Sequence, residues 1–408
     1  MKHKYSVLIV HNYYQLPGGE DIVVANEKRL LEEKGHRVVL YTRDNKELKR
    51  RNSFTDLLLP FSVIFNFRTY REAKKLIKKE KIDIVHVHNT LMFISPSIYY
   101  AALCCNVPVV QTLHNFRLQC PGATFYRSGH ICEDCITKGL GCAIKHKCYR
   151  QSRIQTILCV INIQIHRMTG IYRKINYICL TEFNKEKLLR INEGKNGKKM
   201  QIVFPEKIFV KPNFTFNSET GNPVKESDQP GKQYYLFMGR IERIKGIDIL
   251  LDAFRQLQDK ELLVAGTSKE LEYYKKKASK NIIFKGYMQG KELRELLFGA
   301  KAVIVASQCY ETFGMVIAEA YAAGKPVIAG NIGNMKLMVR EDDIKGTGIK
   351  FLYNSSEALI EAIQKFEKTD NDWSGNAYKK YVEEFSSESN YRLLMSIYDN
   401  VMEHQMSR

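Results

Sequence analysis

Strands and helices alternate twice along this 408-residue chain, and a polar stretch separates the two series. That pattern predicts an α/β protein of two Rossmann-like domains, with parallel sheets facing a central cleft. Length agrees, because two domains of roughly 150 to 200 residues are expected where one average core would be overfilled. Charge divides at the same place. The net charge of +19 is carried entirely by residues 1–215, with 36 Lys and Arg against 17 Asp and Glu, while residues 216–408 hold 27 of each.

The first series opens with an apolar strand at 7–10, a helix at 21–35 ending in Gly35, and a strand at 37–41. A basic amphipathic helix at 70–80 and a strand at 82–88 follow, then a helix at 97–105 and a strand at 108–113 that ends in His114. Helices of this length between strands imply right-handed crossovers and hence parallel pairing. Residues 115–150 break the rhythm with Gly, Cys and turn residues and read as an insertion; strands at 177–180 and 208–210 flank a helix at 185–190. The stretch 213–233, with Pro223 and Pro230 among Gly, Ser and Asn, reads as the linker. The second series runs through strands at 234–238, 261–265, 282–284, 302–306 and 327–328, with helices at 246–258 and 291–298. Helical segments at 357–366, 376–385 and 389–402 close it.

Three motifs lie at strand-to-helix junctions, outside the carboxyl ends of strands where open α/β sheets bind ligands. Glu311-Thr312-Phe313-Gly314-Met315 leads into a helix carrying Glu319. Two carboxylates with seven residues between them would stand roughly 12 Å apart if both were helical, too far for a glycosidase pair and suited to gripping one extended ligand twice. Gly239-Arg240-Ile241-Glu242-Arg243-Ile244-Lys245-Gly246 precedes a helix N-terminus, and Arg240 and Lys245 beside free N–H groups suit a diphosphate. Pro17-Gly18-Gly19-Glu20-Asp21 follows the first strand, where glycine lets backbone approach a ligand. His114, at a strand end, is placed to touch a ligand hydroxyl or phosphate. Neither G-x-G-x-x-G nor G-x-x-x-x-G-K-[ST] occurs, which removes the main warrant for nicotinamide dehydrogenase and P-loop chemistry.

Together these residues, with the Phe284-Lys285-Gly286-Tyr287 turn and Ala323-Gly324-Lys325-Pro326-Val327, resemble family 4 of the retaining, GT-B-fold glycosyltransferases over nearly the whole chain. The resemblance implies that Arg240 and Lys245 hold the donor diphosphate, Glu311 the transferred sugar and Glu319 the ribose. It further implies that backbone around Phe313, Gly314 and Met315 faces the sugar or its phosphate, that Gly18, Gly19 and Gly239 approach the donor, and that His114 touches the donor sugar. Tyr287 and Met288 would carry the base. No cofactor is implied for catalysis, since the cations replace a divalent metal. The chain departs from the family at Met335-Lys336-Leu337, which lacks a common carboxylate, and at Ala306, where many relatives carry Pro.

Cys120, Cys132, Cys135, Cys142 and Cys148 fall within the insertion. Four thiolates from Cys120, Cys132, Cys135 and Cys148 would close a structural zinc site; free thiols are the alternative, because only one C-x2-C is present. The apolar run 154–165, flanked by Arg150, Arg153, Arg167, Arg173 and Lys174, reads either as a buried helix or as one that dips into a bilayer interface.

The expected organisation is an acceptor-binding domain at 1–212, a nucleotide-sugar-binding domain at 213–388, and a terminal helix at 389–408 returning to the first. The expected activity is transfer of a hexose from a UDP- or GDP-type sugar to a glycan or lipid-diphosphate-linked acceptor in surface-polysaccharide synthesis. The basic half predicts an anionic membrane surface as partner; no nucleic-acid module is recognisable. No run reaches the length of a membrane-spanning helix, so the protein is expected in the cytoplasm, peripheral on the inner face of the membrane. A nucleotide-sugar epimerase and a non-catalytic sugar-nucleotide-binding scaffold are the rival readings.

Overall fold

The computed structural model describes residues 3–14, 18–45, 59–194, 200–216 and 234–406. Pro17 of the glycine turn and residues 217–233 of the expected linker lie outside them. The chain divides into two units: Met1–Phe125 with Glu133–Pro212 and Asn390–Arg408, and Tyr126–Cys132 with Asn213–Ser389.

In the first unit six parallel strands form one sheet in the order β2-β1-β3-β4-β7-β8. They are β1 (Ser6–Tyr13), β2 (Arg37–Asp44), β3 (Ile84–Asn89), β4 (Val109–Leu113), β7 (Asn176–Cys179) and β8 (Ile208–Val210). Val7, Leu8, Ile9 and Val10 are all fully buried, so β1 is covered on both faces, as a continuous apolar run in a parallel sheet requires. Between strands run α1 (Gly19–Glu33), α2 (Leu59–Ile64), α3 (Phe67–Lys79), α4 (Ser97–Cys104), α5 (Asp134–Thr137), α6 (Gly141–Lys145), α7 (Arg153–Met168) and α8 (Glu182–Leu189). The α3 helix starts three residues before the amphipathic pattern, because Asn66 caps it by accepting from Thr69 N–H at 3.1 Å. A short antiparallel hairpin, β5 (Tyr126–Arg127) with β6 (His130–Ile131), interrupts the insertion.

The second unit repeats the architecture in the order β11-β10-β9-β12-β13-β14. Its strands are β9 (Tyr234–Met238), β10 (Leu262–Ala265), β11 (Ile282–Gly286), β12 (Ala300–Val305), β13 (Val327–Gly330) and β14 (Gly348–Phe351). Its helices are α9 (Ile247–Gln256), α10 (Leu271–Lys277), α11 (Gly290–Gly299), α12 (Met315–Ala322), α13 (Met335–Met338), α14 (Ser356–Lys368) and α15 (Trp373–Lys380). Leu250, Phe254, Leu359 and Ile363 from α9 and α14 cover Leu262, Val264, Ile304 and Ile328 of the sheet.

Residues of α16 (Ser387–Met406) complete the first unit's core. Tyr398, fully buried, meets His86 Nδ1 at 2.7 Å, and Tyr391 meets His36 Nε2 at 3.0 Å. Beneath them lies a sealed carboxylate. Glu27 of α1, with no exposed surface, stands 3.2 Å from Lys211 Nζ and 2.8 Å from His86 Nδ1, and Lys211 also donates to Asn390 Oδ1 at 3.1 Å. Although burial opposes ionisation, His86 and Lys211 hold Glu27 well below the usual carboxylate range. Glu27→Leu strands the Lys211 ammonium in the core and should cost about 3–5 kcal/mol, read as a lower urea midpoint; adding Lys211→Met should recover part of it.

Candidate functional site

In each sheet the strand order reverses beside its first strand, and the sites gather there. The second unit's reversal falls between β9 and β12, and the loops leaving those strands carry Lys245 and Glu311. The β9 loop passes through a 3-10 turn, Arg243–Lys245, to Gly246 at φ +81° before α9 begins. A Cβ on Gly246 would lie 2.0 Å from Ala306 O, so only glycine lets this loop lie against the end of β12. Gln308 N–H donates to Ile244 O at 2.8 Å and ties the two loops. A Cβ on Gly266 would fall 1.8 Å from Gly239 O, which fixes the β10 loop against Gly239 in the same way.

Lys245 pairs with Glu311, and Ser307 Oγ donates to the same carboxylate oxygen at 2.7 Å. Burial alone would raise Glu311, but Lys245 and Ser307 hold it below its usual range, and Glu311 in turn raises Lys245. Both side chains keep partial solvent access. Arg240 is exposed, bridges to Glu242 at 3.1 Å, and adds positive potential at Glu311. Phe313 is buried against Phe385, and its carbonyl accepts from Asn334 Nδ2 at 2.6 Å. Gly314, at φ +94°, turns the chain into α12, so Glu311 stands in the loop and only Glu319 is helical. The 12 Å separation expected for a helical pair therefore does not describe them. Among the described residues no side chain bonds to the Glu319 carboxylate, and burial raises its pKa. Tyr287, beyond β11, is exposed, with Met288 partly buried beside it.

The first unit's reversal falls between β1 and β3. Gly18 caps α1, its N–H donating to Asp21 Oδ2 at 2.9 Å, and a Cβ there would meet open space. Asp21 Oδ1 contacts His11 Nε2 at 2.7 Å. Burial, then the neighbouring Asp21 charge, push Glu20 up to about 8. His114 and His88 meet at 2.9 Å between Nε2 and Nδ1, and His88 Nε2 lies 3.3 Å from Glu27. Burial and the neighbouring imidazoles hold both histidines neutral, His88 at about 4. His88 and His114 also line a cavity of about 80 Å³ with Gln111, Tyr99 and Tyr172.

Glu27, His86 and His88 are the one set of three or more potential metal ligands within 4.8 Å of one another among the described residues. The Lys211 ammonium already supplies the cation there, and His86 is engaged by Tyr398 and Thr112. Cys120, Cys132, Cys135 and Cys148 form no such set: Cys135 and Cys148 pack beside Leu140, Ala143 and Cys159, and all ten cysteines are free thiols. Residues unread in the sequence include Ser307, Glu27, Lys211 and His88. The last had a signal, since His86 and His88 two apart on a strand share a face.

Two parallel sheets with polar loops at the carboxyl end of each reversal define the class of GT-B proteins. Solved Anabaena HepE, in complex with UDP and glucose, superposes with a TM-score of 0.61 at 17% identity, covering 96% of this chain and 98% of that one. The family model "Glycosyl transferases group 1" matches residues 220–383, and "Glycosyltransferase Family 4" matches residues 17–130. The chain belongs to the family 4 type of glycosyltransferases and is an enzyme of that kind. Among curated relatives, the O-antigen chain mannosyltransferase C of Escherichia coli is 26% identical over 180 residues, 42% of this chain and 48% of that protein, so under half of its length is matched. The alpha-monoglucosyldiacylglycerol synthase of Streptococcus pneumoniae is 24% identical over 342 residues, 79% of this chain and 70% of that protein.

Gly246→Ala should lower the melting temperature by several degrees, through the clash with Ala306 and the left-handed backbone. Glu20 binds its proton more tightly folded than unfolded, so its contribution is full below about pH 4.5 and is lost as pH rises through about 8. Glu20→Gln should therefore narrow the fall in melting temperature between about pH 5 and 9, measured by differential scanning calorimetry.

Proposed function

We propose that the chain is a retaining hexosyltransferase that uses a nucleotide-diphosphate sugar and a glycan or lipid-diphosphate-linked acceptor in surface-polysaccharide synthesis. The Lys245–Glu311 pair at the second sheet's reversal carries this reading, with Arg240 in its field and Glu319 on α12. The pair is only partly covered, so a donor diphosphate can take Lys245 and a sugar hydroxyl can take Glu311 with little loss of pairing. UDP and glucose in HepE support a nucleotide-sugar donor. The names of the Escherichia coli and Streptococcus pneumoniae relatives support glycan and glycolipid acceptors.

In this reading the bond from the sugar's anomeric carbon to the diphosphate oxygen breaks, and charge collects on the leaving phosphate. Arg240 and Lys245 are fixed before that charge develops, which is where electrostatic catalysis is strongest. Glu311 orients the sugar, and the Glu319 carboxylate, which no side chain bonds among the described residues, accepts from the ribose hydroxyls. The acceptor oxygen bonds to the anomeric carbon on the face the phosphate leaves, and its proton passes to the phosphate oxygen. The products are the glycosylated acceptor and a nucleoside diphosphate. His114, held neutral, touches the donor sugar. The basic first unit holds the acceptor.

Lys245→Ala should lower kcat by about a hundredfold or more, the scale of losing one transition-state charge donor. Glu319→Ala should act chiefly on donor KM, as loss of uniform binding does. Full turnover by Lys245→Ala and Glu311→Gln, with wild-type melting, overturns the assignment. Conversion of a nucleotide sugar to its epimer without any acceptor would replace transfer by epimerisation.

A further inference from the structure

The first unit carries an apolar surface that its own fold does not cover. On α7, Ile154, Ile161, Ile165 and Met168 are 73%, 39%, 36% and 85% exposed, and with partly buried Leu158 they follow the spacing 154, 158, 161, 165, 168. Steps of four and three put them in one stripe along the helix. The opposite face is firmly seated. Thr156, Cys159, Val160, Asn162, Ile163 and His166 are buried, Asn162 Nδ2 donates to Val63 O at 3.2 Å, and His166 Nε2 meets Ile64 O at 3.0 Å. Ser152 caps the helix by accepting from Gln155 N–H at 3.3 Å. The outward stripe is therefore set by bonds on the other side.

Two phenylalanines extend it. Phe61 of α2, the helix those bonds hold against α7, is 70% exposed. Phe67, opening α3, is 69% exposed, and its ring lies 5.0 Å from Phe65, which is 5.5 Å from Tyr100, whose hydroxyl meets His166 at 2.9 Å. Charge around this surface has one sign. The segments Leu59–Ile64, Phe67–Lys79, Arg153–Met168 and Ile171–Lys174 contain ten Lys and Arg and one acid, Glu72, which Arg68 engages at 2.7 Å. Arg68, Arg71, Lys75, Lys78, Arg153, Arg173 and Lys174 are exposed.

The geometry points to this face, α7 with α2 and the start of α3, as a docking surface for an anionic lipid bilayer. The apolar stripe enters the boundary between headgroups and acyl chains while the cations meet lipid phosphates. An acidic protein partner would not need seven residues of Ile, Leu, Met and Phe laid along one helix and its rim, whereas a bilayer matches both the apolar stripe and the uniform charge. The inference deepens the membrane part of the proposed function. It is tested without donor or acceptor, so its failure is separate from failure of the transfer reading.

The test is flotation of the full chain with vesicles of phosphatidylcholine alone or with about one-third phosphatidylglycerol, at about 0.05 and 0.5 M salt. Wild type should float with the anionic vesicles at low salt and lose most of that binding at high salt. Ile161→Asp with Ile165→Asp should cut the bound fraction about tenfold or more. Arg71→Glu with Lys75→Glu and Lys78→Glu should erase the preference for anionic lipid, while Ile344→Asp, exposed in the second unit, should change nothing. If the paired isoleucine variant melts below wild type, Met168→Asp, at the most exposed point of the stripe, takes its place. Absent binding by wild type, or binding indifferent to the stripe variants, overturns the proposal. So does a wild-type dimer in light scattering that the stripe variant dissociates while vesicles are ignored, since a second copy then covers the face.

Discussion

A carboxylate without solvent is the constraint on which the first unit is built. Removing Glu27 from water is costly, and the cost is offset only when Lys211, His86 and His88 surround it. Those partners come from the end of β8 and from β3, and Asn390 and Tyr398 of α16 hold the partners in turn. A packing arrangement that displaced any one of these elements would leave a buried charge exposed to its own repulsion or to nothing at all. The same cluster extends to the end of β4, because His88 lies against both Glu27 and His114.

The second unit uses sterics for the equivalent task. Its loops approach each other at Gly246 against Ala306 and at Gly266 against Gly239, distances that no side chain allows. Charge is kept near the surface there. Lys245 and Glu311 satisfy each other while retaining solvent access, which suits groups that must exchange partners with a ligand. A carboxylate as deeply sealed as Glu27 could not make that exchange. The two sheets are both parallel but differ in strand order, and the first unit seals its charge in the core while the second keeps the Lys245–Glu311 pair partly accessible.

Much of this was legible along the chain. Fully apolar runs such as 7–10 announced strands covered on both faces, and the alternation with helices announced parallel sheets. Lys245 and Glu311 were singled out individually, and their contact follows from the reversal of strand order, which no local pattern encodes. Glu27 was invisible for a different reason: a glutamate in a helix with acidic and basic neighbours reads as solvated until Lys211, 184 residues away, is seen beside it. The start of α3 was missed because Asn66 caps the helix ahead of its periodic face.

The contribution of α16 to the first unit has a consequence for synthesis. Domains generally fold as they emerge, the amino-terminal one first. Here residues 6–212 can lay down most of their sheet early, yet Tyr398, Asn390 and Tyr391 are translated only after the whole second unit. The Glu27–Lys211 centre therefore waits, incompletely enclosed, while residues 213–389 are made. The order of completion in the cell is then reversed: the later-made unit can close first, and the earlier one is sealed by a helix translated after it.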